Sequence, residues 1–522
     1  MGYVKKNRDF HEARWDEPFI MEMGNPGERG VLIPRASEGV QRVSGSAADL
    51  IPARLRRKKA PKLPEVSQMQ VLRHYMRLSQ ETIGTDLNID IGLGTCTMKY
   101  SPKIHEQLVR SEKFQELHPC QDESTVQGIL EIMYQDAQYL KAISGMDQVS
   151  LQPAGGSQAI FANVQAIRAY FEKKGEGGQR DEIITTILSH PANPGTAATL
   201  GYKVITLYPD ENGLPDIEAL KAAVSEHTAA LMITNPEDTG IYNDRIRQFV
   251  DIVHEAGGLC VYDQANLNGV FGLTRARDAG FDMCHYNLHK SFSSPHGCQG
   301  PGAGAQCVSK ELAGYVAAPV VEFDGTRYYL DHQMPDSIGK LRSFYGVPSV
   351  MIRAYAYIRS LGADGMRQIA ELSILNNNYL ISRLLKIRGL TMPFAEGRFR
   401  MEQARLSWQE LTEETGVTTD DICRRIVDYG FQDYFTSHHP RVLPEPFTPE
   451  PVETYSKDDM DEYVAAFEAI SQEAYTDPEL VKGAPYKAAL GARIEEECLT
   501  DWSRFATTWR AYKRMEGEEI LC

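Results

Sequence analysis

The chain contains two apolar runs that each end in a charged residue, Gly258-Leu259-Cys260-Val261-Tyr262-Asp263 and Met283-Cys284-His285-Tyr286-Asn287-Leu288-His289-Lys290. Short runs bounded by polar residues or glycine are typical of buried strands. A lysine at the end of a buried strand is hard to explain by packing, because burying an ammonium group without a partner is unfavourable. We therefore expect Asp263 and Lys290 to lie at strand ends, where their side chains serve chemistry.

Similar β-rich runs alternate with amphipathic segments between about residues 148 and 310. This alternation predicts an α/β fold with a mostly parallel, seven-stranded sheet flanked by helices. The predicted strands are Val149–Gln152, Ile183–Leu188, Val204–Leu207, Ala229–Thr234, Leu259–Asp263, Met283–Leu288 and Gly304–Val308. The predicted helices between them lie near 158–173, 216–225, 243–256 and 309–315. Beyond the sheet, a long helical stretch is predicted from about 350 to 386, interrupted at Gly362 and Gly365, with further helices near 419–429 and 458–475.

A length of 522 residues exceeds the roughly 250–300 at which one hydrophobic core stops growing, so more than one domain is expected. The predicted division is an N-terminal arm at 1–75, a large domain at 76–345, connecting helices at 346–387 and a smaller α+β domain with a tail at 388–522. Within the large domain, Ser124 and Gln127 have the spacing of a capping box, which predicts a helix from about 124 that ends at Gly145.

The composition disfavours several classes of protein. A net charge of −16 and a pI near 5.4 argue against a nucleic-acid partner. No apolar run approaches the roughly 18 residues of a membrane span. The polar N-terminus lacks the apolar core of a secretory leader, and the nine cysteines include no Cys-x-x-Cys pair. We therefore predict a cytoplasmic protein with free thiols and without a metal site.

Ligands of open parallel sheets bind at the carboxyl ends of the strands, where Asp263 and Lys290 are predicted to lie. A partly desolvated lysine has a lowered pKa and becomes nucleophilic, which Schiff-base chemistry requires. A carboxylate at a neighbouring strand end can hold a protonated pyridine nitrogen. Asp263 alone could equally be a helix cap. Together the two residues predict a pyridoxal 5′-phosphate (PLP) enzyme in which both are catalytic.

The turn Ala154-Gly155-Gly156-Ser157-Gln158 joins a predicted strand to a predicted helix. Glycines allow backbone amides to approach a phosphate, and the helix dipole favours an anion. Gly156, Ser157 and Gln158 are therefore predicted to bind the cofactor phosphate. A glycine-rich turn of this kind is also common for structural reasons alone.

Further predicted cofactor contacts come from other strand ends. His190 follows the strand that ends near Leu188 and could stack on the cofactor ring or carry a proton, which makes it the third predicted catalytic residue. Asn235 could touch the cofactor, and Asn266 could reach the phenolic oxygen of the ring. Asn287 and His289 adjoin Lys290 and are assigned to the same site. Turn residues such as Asn235 also have a purely structural interpretation.

The chain resembles the glycine-cleavage P-protein family, specifically its separate cofactor-carrying subunit 2. The matching phrases are Arg73-His74-Tyr75-Met76-Arg77-Leu78-Ser79, Leu93-Gly94-Thr95-Cys96-Thr97-Met98-Lys99-Tyr100-Ser101-Pro102-Lys103, Thr125-Val126-Gln127-Gly128, Thr234-Asn235-Pro236, Tyr262-Asp263-Gln264-Ala265-Asn266-Leu267-Asn268, Asn287-Leu288-His289-Lys290, Phe323-Asp324-Gly325-Thr326-Arg327-Tyr328-Tyr329-Leu330-Asp331 and Ile352-Arg353-Ala354-Tyr355-Ala356-Tyr357-Ile358-Arg359. They span residues 73 to 365 densely, with a looser similarity to about 490.

The resemblance implies a PLP fold of type I with a Schiff base on Lys290, Asp263 at the ring nitrogen and His190 against the ring. It also implies that Thr95, Cys96 and Thr97 help to wall the substrate site. The implied reaction removes carbon dioxide from glycine and transfers the aminomethyl group to the lipoyl group of an H-protein. The implied partner is a homologous subunit 1 that lacks the cofactor lysine, within a homodimer or heterotetramer.

Several positions depart from the family pattern. They are Gln158 and Ala192, the pair Cys298-Gln299, and the run Met401-Glu402-Gln403-Ala404-Arg405. These departures leave open a diverged PLP enzyme, a decarboxylase or another carbanion chemistry, that acts on a different amino acid without a lipoyl partner. Arg405 or Arg441 could then bind a substrate carboxylate, or either could form a surface ion pair. A non-catalytic partner subunit is a third alternative, which the intact Lys290 argues against.

Overall fold

A computed structural model describes residues 7–45, 47–84, 87–94, 99–118, 121–294, 302–438, 440–489, 501 and 506–517. Thr95, Cys96, Thr97 and the pair Cys298-Gln299 therefore lie outside the described residues. The chain divides into two compact units. The first contains Met1–Asp9 and Thr85–Gly483, and the second contains Phe10–Gly84 and Ala484–Cys522. Within the described ranges, no helix combines the length and the apolar character that crossing a membrane requires.

The α-helices of the described residues are α1 (Glu38–Ser44), α2 (Gln68–Gln80), α3 (Lys103–Val109), α4 (Glu112–Gln115), α5 (Gln127–Ser144), α6 (Gly156–Lys173), α7 (Ala192–Thr199), α8 (Ile217–Ala223), α9 (Ile246–Glu255), α10 (Pro348–Leu384), α11 (Gln409–Thr415), α12 (Thr419–Val427), α13 (Lys457–Thr476), α14 (Pro478–Lys482) and α15 (Trp509–Met515). The strands are β1 (Gln148–Ser150), β2 (Glu182–Thr186), β3 (Lys203–Leu207), β4 (Thr228–Thr234), β5 (Leu259–Gln264), β6 (Met283–Asn287), β7 (Gly304–Val308), β8 (Val320–Phe323), β9 (Tyr328–Asp331), β10 (Leu406–Ser407) and β11 (Pro446–Phe447).

Strands β1 to β7 form one sheet in the order β1-β7-β6-β5-β4-β2-β3. Strands β2 to β6 pair in parallel, whereas β7 runs antiparallel to both β6 and β1. All seven predicted strands are present, with ends that shift by at most two residues. The predicted α/β fold with a mostly parallel seven-stranded sheet is thus confirmed.

The centre of the sheet is buried on both faces, as its nearly continuous apolar strands require. Every residue of β5 and of β6 is buried. Along β5 the side chains alternate between two cores. Leu259 and Val261 pack with α6 on one face, and Cys260 and Tyr262 pack with α5 and α9 on the other. This arrangement brings the carboxyl ends of β2, β4, β5 and β6 to the same edge.

The start of α5 differs from the prediction, whereas its end agrees with it. Ser124 does not form a capping box with Gln127, because the Gln127 amide instead donates to the Tyr328 carbonyl over 2.7 Å and accepts from the Tyr328 N–H over 2.8 Å. The Asp122 carboxylate accepts from the Ser124 N–H, and α5 begins only at Gln127. The predicted end is confirmed, since Gly145 follows α5 in a left-handed conformation.

A separate apolar core lies beyond α10 in the first unit. It contains Trp408, Phe447 and Phe467, which come from the segment after β10, from β11 and from α13. The predicted helices near 419–429 and 458–475 are present as α12 and α13. The long predicted helix from 350 to 386 is present as α10, with a kink where Gly362 has a φ of 64°.

The second unit contains α1, α2 and α15. Ser67 and Gln70 form a capping box at the start of α2. The Glu17 carboxylate lies 3.1 Å from the His74 ring and accepts from Arg77 over 3.0 Å, which ties the extended N-terminal segment to α2. Val31, Leu32 and Ile33 are largely exposed in this unit.

Candidate active site

Lys290 lies in the turn that follows β6. Its N–H donates to the Asn287 carbonyl over 3.1 Å, and its own carbonyl accepts from the Ser293 N–H over 3.1 Å. The residue is only 8% exposed, although it carries an ammonium group. The turn therefore holds Lys290 at the carboxyl edge of the sheet, where the sequence predicted it.

Asp263 lies near the end of β5 and is buried. One carboxylate oxygen accepts from the Asn193 amide over 2.9 Å, and the other accepts from the Ala265 N–H over 3.1 Å. His285, its register partner on β6, has Nε2 3.2 Å from the second oxygen. Burial raises the pKa of Asp263, but His285, the Ala265 N–H, His190 and Asn193 together outweigh burial and lower it. The carboxylate is therefore ionised at neutral pH.

His190 lies in the turn after β2, and its Nδ1 accepts from the Ala192 N–H over 3.0 Å. Burial lowers the pKa of His190; Lys290 lowers it further, whereas the Asp263 charge raises it. Lys290, Asp263 and His190 therefore lie at the same edge of the sheet, close enough for the charges of Lys290 and Asp263 to act on the His190 ring. Their catalytic roles stay predictions.

The turn before α6 has the features of a phosphate cradle. Helix α6 starts at Gly156 without a side-chain cap, so its first N–H groups have no intrahelical partner. A Cβ atom at Gly156 would lie 2.7 Å from the Asn287 Oδ1, and a Cβ atom at Gly304 would lie 2.6 Å from the Gly155 carbonyl. Asn287 can approach Gly156, and β7 can approach Gly155, only because the glycines carry no side chain, and the exposed Ser157 adds a hydroxyl donor.

The donors and acceptors of this edge fit PLP. The free N–H groups of α6 suit its phosphate, the ionised Asp263 suits a protonated ring nitrogen, and Lys290 suits its aldehyde. The buried Oδ1 of Asn287 and the buried Oδ1 of Asn193 make no hydrogen bond with the described residues. Both oxygens can therefore still accept a hydrogen bond from a bound group. His289 is half-buried and lies against the Ala303 backbone, with Nδ1 3.1 Å from the Ala303 carbonyl oxygen.

Three residues that were predicted to contact the cofactor have hydrogen-bond partners within the protein. The Gln158 amide accepts from the Ala154 N–H over 2.7 Å and donates to the Leu341 carbonyl. It therefore stabilises the turn that precedes α6. The Asn235 amide both donates to and accepts from the Asn243 backbone.

Asn266 donates to the Glu450 carboxylate over 2.7 Å and accepts from the Asn268 N–H over 2.8 Å. Both ends of this amide are engaged, as they are in Gln158 and Asn235. These contacts give Asn266 a structural use, and its predicted reach to the phenolic oxygen of the ring stays a prediction.

Arg405 is buried, so the alternative of a surface ion pair is wrong for this residue. Its guanidinium donates to the Asp238 carboxylate over 2.5 Å and to the Thr436 carbonyl over 3.1 Å. Its Nε makes no hydrogen bond with a described residue. Arg441, by contrast, is partly exposed and pairs with Asp420 over 2.9 Å, which is the surface ion pair that the sequence allowed.

Several polar residues of the site were not identified from the sequence. The His438 ring meets the His190 ring edge to face, with centroids 4.8 Å apart and an interplanar angle of 72°. Burial raises the pKa of Glu450 to about 8 and that of Glu402 to about 7. None of them lies next to a predicted strand end. Asn193 had a weak indication, since it follows His190 by only three residues.

A group of potential metal ligands lies at the opposite edge of the sheet. Donor atoms of His254, Cys260 and Asp282 lie within 4.8 Å of one another. Asp282 already accepts from the Cys260 N–H and lies 2.8 Å from the His254 Nε2, and burial raises the pKa of the Cys260 thiol well above its usual range. These contacts suffice to explain the group as a link between α9, β5 and β6.

Comparisons with known proteins agree with this site. A family model described as glycine dehydrogenase, C-terminal domain, matches residues 369–483, and one described as aminotransferase class-V matches residues 154–326. Relatives named probable glycine dehydrogenase (decarboxylating) subunit 2 are known from several organisms. The protein of Pyrococcus furiosus is 44% identical over 97% of this chain and 98% of its own length. The protein of Halalkalibacterium halodurans is 40% identical over 92% of this chain and 96% of its own length.

Solved structures share the fold. The crystal structure of glycine decarboxylase (P-protein) of the glycine cleavage system, in inhibitor-bound form, has a TM-score of 0.70 at 18% identity and covers 84% of this chain and 100% of that chain. A NifS-like protein has a TM-score of 0.57 at 16% identity and covers 73% of this chain and 99% of that chain. At such low identity these two likenesses support the fold-type I architecture alone.

The resemblance found in the sequence and the predicted dependence on PLP are thus confirmed at the level of the family. Because curated relatives match at up to 44% identity over nearly the whole of both chains, this protein belongs to the family of glycine dehydrogenase (decarboxylating) subunit 2.

Proposed function

We propose that this protein is the PLP-carrying subunit that removes carbon dioxide from glycine in a glycine cleavage system. The observation that carries the proposal is that the buried Lys290, the ionised Asp263 and His190 lie at one edge of the sheet. Relatives named as the decarboxylating subunit at 44% identity support the same activity. A purely structural subunit would have no use for a buried lysine that forms no ion pair with the described residues.

PLP, when held by Lys290, supplies an electron-withdrawing ring that stabilises the carbanion left by loss of the carboxylate. Asp263 keeps its negative charge because its pKa is lowered, so it can hold a proton on the ring nitrogen. The Asn193 amide and the Ala265 N–H fix the orientation of the Asp263 carboxylate. The backbone N–H groups at Gly156 and Ser157 bind the phosphate.

The imidazole rings of His190 and His438 are neutral in the site rather than cationic. Burial lowers the pKa of His190 and lowers that of His438 to about 4. Both rings are therefore uncharged at neutral pH. The Nδ1 of His190 is occupied by the Ala192 N–H, which leaves Nε2 to carry or release a proton.

Arg405 is proposed to contact the substrate carboxylate only through those of its N–H groups that Asp238 does not bind. The ion pair with Asp238 balances the guanidinium charge, and the Nε atom has no hydrogen-bond partner among the described residues. A loosely held carboxylate suits a reaction in which this group must depart. The wall formed by Thr95, Cys96 and Thr97 remains a prediction, as do the contacts of Asn287 and His289 with the cofactor.

The partners follow from the family and are likewise proposals. A chain of the subunit 2 family implies a subunit 1, and the proposed reaction requires a lipoyl H-protein to accept the aminomethyl group. A homodimer or a heterotetramer and a cytoplasmic location remain predictions. The exposed apolar residues Val31, Leu32 and Ile33 support an assembly that buries part of the second unit.

Exchange of labelled bicarbonate into the glycine carboxyl group tests the proposal. Purified protein is assayed with lipoylated H-protein, with and without the homologous subunit 1. Label exchange that requires H-protein and is abolished in Lys290→Ala is the expected result. If glycine shows no exchange in any combination while other amino acids release carbon dioxide, the alternative of a diverged enzyme replaces this proposal.

A further inference from the structure

A second lysine, Lys99, is buried near Lys290. Its side chain is 1% exposed. Its ammonium group donates to the two Glu453 carboxylate oxygens over 2.9 and 3.1 Å and to the Ser291 carbonyl over 3.1 Å. Tyr357 donates to the same Glu453 carboxylate over 2.8 Å. Lys99 therefore joins the residue that follows Lys290 to a carboxylate more than 150 residues later in the chain.

Tyr100, the residue after Lys99, also connects the turn of Lys290 to the segment around Glu453. The Ser293 hydroxyl donates to the Tyr100 carbonyl over 2.7 Å, and the Tyr100 N–H donates to the Thr454 hydroxyl over 3.2 Å. Residues 99–100 thus lie between the turn of Lys290 and residues 453–454. We call Lys99, Tyr100, Glu453 and Thr454 the brace.

The turn that the brace contacts has an unusual backbone. Ser293 has a φ of 59°, which is uncommon for a residue other than glycine, and it is buried. Such a conformation persists where the surrounding structure imposes it. The brace binds the turn on both sides of the intervening residue, through the Ser291 carbonyl and the Ser293 hydroxyl.

The geometry points to Lys99 and Glu453 as positioning residues for Lys290, an inference that rests on the proposed role of Lys290 as the cofactor lysine. Neither residue needs to touch the substrate. The Lys99–Glu453 ion pair fixes the Ser291 carbonyl, and the fixed carbonyl orients the turn from which the Lys290 side chain leaves. Loss of either partner should therefore weaken the same property, namely the readiness of the Lys290 amine to capture the cofactor.

Capture of cofactor by the apoprotein tests this role without any turnover. PLP is added to apoprotein, the product is reduced with borohydride at timed intervals, and peptide mass mapping identifies the modified lysine. The variants are Lys99→Met, Glu453→Gln and the double variant. We expect each single variant to slow modification of Lys290 about tenfold, and the double variant to be no slower than either, because they remove one shared interaction.

Arg353→Met is the matched control. Arg353 forms a comparable ion pair with Glu106, over 2.6 and 3.0 Å, and its remaining described hydrogen bond is to the Ser349 carbonyl and not to the turn of Lys290. This variant should lower the melting temperature and leave the capture rate unchanged. Ser293→Ala, which removes only the hydrogen bond to Tyr100, serves if Lys99→Met does not fold.

The outcomes separate the inference from the proposed function. Modification of Lys290 at equal rates in wild type and in all brace variants would refute the brace while leaving the function intact. Opposite effects of Lys99→Met and Glu453→Gln would also refute it, since they would indicate a simple effect of charge. Modification of some other lysine in the wild type would refute the proposed function itself.

Discussion

Lys290 and Lys99 are both buried, and they differ in what their ammonium groups meet. Lys99 is held by the Glu453 carboxylate, whereas Lys290 forms no ion pair with any residue of the described ranges. An amine must be free of such a pair to attack an aldehyde. The structure therefore distinguishes the reactive lysine from the structural one more sharply than the sequence could.

Replacing Lys290 by alanine should abolish the visible absorption of bound PLP. The reason is that the covalent link to the ε-amino group is lost, while Lys99 remains engaged with Glu453. Absorption spectra of the purified variant in the range of about 410–430 nm check this. Lys203→Ala, at an exposed lysine, is the control that should keep the band. A band that survives in Lys290→Ala would contradict the assignment.

Replacing Asp263 by asparagine should reduce turnover by about 10²–10⁴, by analogy with the loss of other positioned ionic groups. The side chain keeps its size but no longer provides a charge for the ring nitrogen. Steady-state decarboxylation with glycine measures the effect.

Asp282→Asn is the matched control for this variant, because Asp282 is a hydrogen-bonded carboxylate at the other edge of the same sheet. It should lower the melting temperature and leave turnover nearly unchanged. Full activity in Asp263→Asn would remove its assigned role.

The positions of Lys290, Asp263 and His190 at strand ends could be predicted from the sequence, whereas their partners within the protein could not; their roles stay predictions. All three stand at strand ends that short apolar runs reveal. Asn266 stands in the same kind of position, yet its amide is engaged by Glu450, 184 residues further along the chain. No local pattern can reveal such a partner, because its position depends on the folding of a different core.

At the scale of elements, the kink of α10 depends on a single glycine. Gly362 has a φ of 64° inside the helix, where a side chain would be strained. We expect Gly362→Ala to lower the free energy of unfolding by about 1–2 kcal/mol. Urea denaturation of the apoprotein measures this change.

Gly128→Ala should change the free energy of unfolding in the opposite direction. Gly128 lies in α5, its φ is not positive, and a Cβ atom there would meet nothing within 4 Å. Alanine should therefore raise the free energy of unfolding by about 0.5–1 kcal/mol, because it restricts the unfolded chain. Equal destabilisation by both substitutions would show that the local conformation of Gly362 is not the cause.

The elements that the sequence predicted well are those with long or continuous patterns. The strands β4, β5 and β6 are apolar runs in the middle of the sheet, and α13 has helical periodicity over 20 residues. The two-residue strands β10 and β11 were not predicted. A period of two cannot be recognised in two residues, and their pairing joins segments 40 residues apart.

At the scale of the whole molecule, buried carboxyl groups determine how stability depends on pH. Burial raises the pKa of Glu237 and of Glu450 to about 8 and that of Asp136 well above its usual range. Between about pH 6.5 and 8 these groups hold protons in the folded protein that they release on unfolding. The buried histidines, whose pKa values are lowered, add little in this range.

We therefore expect the free energy of unfolding of the apoprotein to fall as the pH rises from about 6.5 to 8. Glu450→Gln should make this slope shallower by about one proton, since glutamine keeps an acceptor for Asn266 and Asn268 but does not titrate. Chemical denaturation at several pH values measures the slope. Glu218→Gln, at an exposed carboxylate, should leave it unchanged. Stability that rises across this interval would contradict the assignment.

The division of the chain into units was beyond the reach of composition and periodicity. The described residues after Gly483 belong with residues 10–84 in the second unit, although more than 400 positions separate the two segments. Phe19 contacts both Trp509 and Tyr512, which gives this association an aromatic cluster. Only the folded structure reveals that these distant aromatic residues are neighbours.

The contact of Asn266 and Asn268 with Glu450 has a consequence for biosynthesis. A nascent polypeptide that has emerged only as far as residue 440 contains every strand of the sheet, yet it lacks the carboxyl group that both asparagines bind. The loop after Asp263 therefore lacks this anchor until residue 450 has been synthesised, well after the last strand of the sheet, which ends at Val308.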